Sequence, residues 1–202
     1  MAKKAKKIKI KSLMTRSDNQ VIAQLIDPGS RVLDLGCGNG TLLDYLRKEK
    51  NVKGMGVELY QDKIIECASV GIPVVQCDLN TGLKDFSDNA FDAVILSQTL
   101  QQIFEPARLL YSLARIGKRV IVSFPNFSQY TIRMQLLLDG VAPKNDQLPY
   151  HWYDTPNIHL LTINDFSCWC ERNGIRIVSG HVLREGGVRP AGEADDNLKD
   201  EV

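Results

Sequence analysis

Five short apolar runs rich in β-branched residues, interleaved with stretches of helical period, constrain this chain more than any other feature. The runs are Arg31–Leu35, Lys53–Leu59, Ile72–Cys77, Phe91–Leu96 and Val120–Phe124. The fourth shows no polar alternation, as a strand buried on both faces requires. Between them, Ser17 or Asp18 can cap a helix through Val21, Ile22, Leu25 and Ile26, which Asp27-Pro28-Gly29 stops. Thr41 to Lys50 sets Leu42, Leu43 and Leu46 on one face. Tyr60 to Val70 points Ile64, Ile65 and Ala68 inward and ends at Gly71. Glu105-Pro106 opens another helix, with proline in its first turn. Such alternation predicts an α/β fold: three layers, with a doubly wound, mostly parallel sheet between helices.

After Phe124 the pattern loosens. Ser128 to Leu138 reads as a helix ended by Gly140, and Asn164 can cap a helix ended by Asn173-Gly174. Between them, residues 141–158 hold three prolines, with Tyr150, Trp152 and Tyr153, and are expected to form an ordered lid. Ile175 to Glu185 offers one clear strand, interrupted at Gly180, so the last strand of the sheet is expected to be short or missing. Residues 1–14 read as a basic flexible arm, 15–185 as the folded domain and 186–202 as an acidic flexible tail.

The net charge of +1 conceals this layout. Residues 1–11 carry six lysines and no acid; residues 186–202 carry two basic and five acidic residues, which leaves −2 for 12–185. A lysine arm grips phosphates without sequence preference, but no basic patch with interleaved aromatics follows it, so nucleic acid is not an expected partner. The longest apolar runs, such as Ala93–Leu96, are far too short to span a bilayer, so no membrane is expected either. Five unpatterned cysteines follow a lysine-rich start with no apolar secretory segment. They read as free thiols in a reducing cytoplasm. Cys168 and Cys170 stand two apart on a helix, so they face different ways and no metal is expected there.

The chemistry starts where the first strand runs into Gly36-Cys37-Gly38-Asn39-Gly40. Glycine there admits positive φ and close ligand approach, and the following helix offers free N–H donors. In a doubly wound sheet, ligands bind beyond the carboxyl ends of the strands. The spacing fails the dinucleotide G-x-G-x-x-G, since Thr41 follows Gly40, and no Lys-Ser or Lys-Thr completes a phosphate loop. Asp34, two residues ahead of Gly36, would repel a pyrophosphate and suits a ligand with a positive amino group. Glu58 closes the second strand, where an acid can take both ribose hydroxyls. Asp78 closes the third and can accept from an adenine amino group.

Three acids at successive strand ends, with alternate glycines, resemble the class I S-adenosylmethionine (SAM) methyltransferases, whose fold is Rossmann-like. The resemblance implies that Asp34, Gly36, Gly38, Gly40, Glu58 and Asp78 contact SAM, with Ser97 at the end of the fourth strand beside them. No Asn/Asp-Pro-Pro-Tyr stretch follows that strand, and no decisive catalytic base stands out. His151 and His159, within the aromatic segment, are the candidate bases.

A narrower resemblance lies in VLDLGCGNGTLL, VILSQTLQ, IVSFPNF and LPYHWYDTPNIHLLTINDF. Together, over residues 28–182, they are similar to the MetW family of methionine biosynthesis proteins. That resemblance implies a methyltransferase-like fold and a role beside homoserine O-acyltransferase. The alternative is a SAM-dependent methyltransferase acting on a small-molecule acceptor.

Overall fold

The computed structural model describes residues 17–145, 148–184 and 187–190. The basic arm at 1–14 and the tail beyond Pro190 lie outside the described residues. The chain divides between Ser123 and Phe124 into two compact units.

In the first unit, α1 (Ser17–Leu25) precedes β1 (Arg31–Leu35), α2 (Thr41–Lys50), β2 (Lys53–Glu58), α3 (Gln61–Ser69), β3 (Val74–Gln76), β4 (Ala93–Ser97), a short 3-10 turn at Leu100–Gln102, α4 (Pro106–Ile116) and β5 (Val120–Ser123). All neighbouring strands are parallel, in the order β3-β2-β1-β4-β5. The order reverses beside β1, which makes the ends of β1 and β4 the switch point where such sheets bind ligands. Val32 and Ile95 pack into one core with Ile22 of α1, Ile26 just after it, and Leu42, Leu43 and Leu46 of α2. The strand period of two turns the fully buried Leu33, Leu35, Val94 and Leu96 to the other face. There α4 supplies Leu109, Leu113 and Ile116, also buried.

Helix α3 departs from the expected pattern. Cys67 is its buried residue, while Ile65 is 61% exposed and Ala68 lies at the surface. The helix is rotated because the Cys67 thiol packs under the glycine turn, 3.3 Å from the Gly38 carbonyl and 3.7 Å from Cys37 Sγ.

The second unit holds α5 (Tyr130–Asp139), α6 (Ile163–Arg172) and an antiparallel hairpin of β6 (His181–Arg184) and β7 (Gly187–Pro190). Gly140 closes α5 at φ +64. Thr162, not Asn164, caps α6: its Oγ1 accepts from Asp165 N at 3.0 Å and donates to Asp165 Oδ2 at 2.6 Å. Phe124 and Phe166 pack with ring centroids 5.2 Å apart. The hairpin corrects the sequence reading at the tail. Gly187–Pro190 pair with β6 in a separate two-stranded sheet, although their glycine and proline content reads as tail. The strand material expected from Ile175 starts only at His181.

Candidate cofactor site

The glycine turn is built by its own backbone. Gly36, Gly38 and Gly40 take φ of +72, +56 and +75. The N–H groups of Gly36 and Cys37 both donate to the Val57 carbonyl, at 2.8 and 3.1 Å, which ties the turn to β2. Two glycines are also forced by space. A Cβ at Gly36 would stand 2.9 Å from Thr99 Oγ1, and one at Gly40 would stand 2.8 Å from Cys67 Sγ. At Gly38 nothing lies within 4 Å, so that position is left open to a ligand.

A cavity of about 230 Å³ opens over this turn, lined by Asn19, Asp34, Gly36, Gly38, Ser97 and the first-turn residues Thr41 and Leu42. Asp34 is 4% exposed at the carboxyl half of β1. Its carboxylate and the first turn of α2 put an anion and N–H donors in the same lining, an arrangement that suits an amino acid's ammonium and carboxylate. Cys37 is no nucleophile here. Burial, with Asp34 beside it, pushes its thiol far above the ordinary thiol range.

Glu58 does not line the cavity. Its Oε2 accepts from Gly38 N at 2.9 Å, and its Oε1 accepts from Leu59 N at 2.7 Å and Tyr60 N at 3.0 Å. It therefore braces the glycine turn from the carboxyl end of β2. A carboxylate has roughly four lone-pair sites, so one remains for a ligand hydroxyl. Asp78, half-buried beyond β3, accepts from Asn80 N at 2.9 Å and Asn80 Nδ2 at 3.0 Å in a local turn. The cavity thus brings together Asp34, Gly36, Gly38 and Ser97; Gly40, Glu58 and Asp78 stand outside its lining.

Two residues of α1 escape the sequence reading. Asn19 lines the cavity, and Asp18, read as a helix cap, is 6% exposed and accepts from Ser97 Oγ at 2.7 Å. No local pattern announces a contact between residues 79 positions apart.

The candidate bases belong to the second unit. His151 is exposed, with Nε2 2.7 Å from Lys144 Nζ and its ring stacked on Tyr153 at 5.2 Å. His159 is half-buried, and its Nε2 is buried without a hydrogen-bond partner among the described residues. Among those residues no cluster of three or more His, Cys, Asp or Glu is arranged to hold a metal ion, and no helix is long and apolar enough to cross a membrane.

Known proteins share this fold. A SAM-dependent methyltransferase of Thermotoga maritima superposes with a TM-score of 0.62 at 16% identity, covering 86% of this chain and 81% of its own. A SAM-dependent methyltransferase of Archaeoglobus fulgidus gives 0.58 at 20% identity, covering 81% and 71%. These likenesses show the Rossmann-like class I methyltransferase fold. In sequence, the bifunctional methionine biosynthesis protein MetXA/MetW of Rhodopirellula baltica is 40% identical over 157 residues, which are 73% of this chain. The chain spans a quarter of that relative's length. The family described as methionine biosynthesis protein MetW matches residues 16–202, so it covers both units. With the glycine turn, the strand-end acids and the long motifs of the second unit all inside that match, the chain belongs to the MetW family of methionine biosynthesis proteins.

Proposed function

We propose that the chain binds SAM at the carboxyl ends of β1, β2 and β4, and acts with homoserine O-acyltransferase in methionine biosynthesis. The observation that carries the cofactor is the cavity where Asp34, Gly36, Gly38 and Ser97 meet. Asp34 would take the ammonium of the amino-acid end. Gly38, with open space where a Cβ would stand, would let the ligand lie against the backbone. Glu58 would take a ribose hydroxyl on its remaining lone pair, and Asp78 the adenine amino group. The partner is supported by the bifunctional relative, in which MetXA and MetW parts share one chain. A cytoplasmic location agrees with five cysteines that are all free.

The second reading is methyl transfer to a small molecule, since SAM supplies an activated methyl group. His159 is the candidate base, because its Nε2 has no hydrogen-bond partner among the described residues and a base keeps one nitrogen for the acceptor's proton. S-adenosylhomocysteine formed in an acceptor panel by the native chain, and lost in His159→Ala, would establish this reading.

Calorimetry tests the cofactor. The native chain is expected to bind SAM, and Glu58→Ala to lose roughly 1.5–3 kcal/mol of affinity, one charge-assisted pair. Unchanged affinity in that variant would remove the ribose role. Homoserine acylation by the acyltransferase, assayed with and without this chain, tests the partner; equal rates and no co-purification would refute it.

A further inference from the structure

Ser97 and Ser123 end β4 and β5 and face one another in the parallel register. Their hydroxyl oxygens lie 3.0 Å apart, and both reach Asp18 Oδ2, Ser97 at 2.7 Å and Ser123 at 3.3 Å. Asp18 belongs to α1, whose next residue, Asn19, lines the cavity together with Ser97. Beyond Ser97, Gln98 takes φ +54, a region non-glycine residues hold only where their surroundings dictate it. Ser123 dictates it here: Gln98 N donates to the Ser123 carbonyl at 2.8 Å and approaches its hydroxyl at 3.2 Å. The end of β4 is thus fixed from two sides, by β5 and by α1.

This arrangement sets the polarity of the cavity wall. A serine hydroxyl has one hydrogen and two lone pairs, and a carboxylate only accepts. At 2.7 Å the Ser97 hydrogen is committed to Asp18, so every further hydrogen bond at Ser97 Oγ, from Ser123 at 3.0 Å or from a ligand in the cavity, is one it accepts. Asp34 lines the same cavity with a second acceptor. Acceptors from the ends of β1 and β4 suit a ligand group that carries several N–H donors, such as a primary ammonium.

We infer that Asp18 is a positioning residue: it orients the Ser97 hydroxyl as an acceptor toward the cavity, so that Ser97 and Asp34 together select a ligand bearing a primary ammonium group. This rests on the cavity being the cofactor site, with the ammonium that of the cofactor's amino-acid end.

The test titrates the full chain with SAM and with 5′-methylthioadenosine, which keeps the nucleoside and lacks the amino-acid end. Asp18→Asn keeps the shape but can donate to Ser97 and so reverses its polarity; Ser97→Ala removes the acceptor. Each is expected to weaken SAM binding on the order of ten- to a hundredfold, the reach of one charge-assisted hydrogen bond. The double variant is expected to be no weaker than either single one, since both remove the same contact. Affinity for 5′-methylthioadenosine is expected to hold. Unchanged SAM affinity in Asp18→Asn, additive losses in the double variant, or equal losses for both ligands would each overturn the inference. If Asp18→Asn does not fold, Asp18→Ala takes its place: it frees the Ser97 hydrogen, and unchanged SAM affinity, or equal losses for both ligands, would overturn the inference. A native chain that binds neither ligand would instead overturn the cofactor reading, and the inference with it.

Discussion

Gly38 and Gly40 share a left-handed backbone and a place in one turn, yet they answer to different demands. Gly40 is a packing glycine, because the buried Cys67 thiol occupies the space of its missing Cβ at 2.8 Å. Gly38 has open space there and faces the cavity. Alanine at either position carries the left-handed penalty of about 1–2 kcal/mol. Gly40→Ala adds overpacking against sulfur, a further cost of about 1–3 kcal/mol. Urea midpoints should therefore fall clearly further for Gly40→Ala, while SAM affinity should fall for Gly38→Ala, whose methyl would enter the ligand's space. Equal midpoints in the two variants would contradict the packing role. The sequence makes the glycines visible because their spacing is local. It leaves their separate causes hidden, because Cys67 stands 27 residues further along the chain and its packing under the turn is a tertiary fact.

At the scale of elements, Asp92 joins the amino ends of three strands. It stands just before β4; its Oδ2 accepts from Arg31 N at the start of β1 at 2.9 Å, and its Oδ1 accepts from Lys118 Nζ ahead of β5 at 2.9 Å. Its own N–H donates to the Arg31 carbonyl at 2.9 Å. The Arg31 amide first, then Lys118, holds its carboxyl down to about 2. A carboxyl lowered from 3.8 stabilises the folded chain above that unfolded value, and the contribution disappears as pH falls toward about 2. Native stability, followed by urea unfolding, should drop across that window, and Asp92→Asn should be less stable above it with a flatter acid slope within it. A parallel slope in the variant would assign the acid loss to other carboxyls. The strands Asp92 joins are legible in sequence, because strands buried on both faces are continuous apolar runs. Edge material is less so. β3 keeps only Val74–Gln76 of the run Ile72–Cys77, being paired on one side alone, and β7 hides in Gly187–Pro190, where hairpin chemistry and tail composition look alike. The inward face of α3 is misjudged for a third reason: the thiol at Cys67 outweighs Ile65 once the turn above it must be packed.

For the whole molecule, the division between Ser123 and Phe124 gives ligand binding a measurable signature. Every residue lining the cavity belongs to the first unit, and a ligand stabilises what it binds by mass action. At a SAM concentration a hundred times its dissociation constant, the gain is about 2.7 kcal/mol. Each kcal/mol raises the melting temperature by about 2–4 °C in a chain near 200 residues, and by about 4–8 °C in a domain of 60–100. One cooperative transition of the whole chain should therefore rise by roughly 5–11 °C. If the first unit melts by itself, its transition should rise further than that, because the smaller unit has the smaller unfolding entropy, with a second transition left in place. Calorimetric melts over a SAM series separate these outcomes, and in either case the shift should grow with the logarithm of SAM concentration. A melting temperature that stays flat across the series would exclude SAM as the ligand of this cavity, whatever the family resemblance implies.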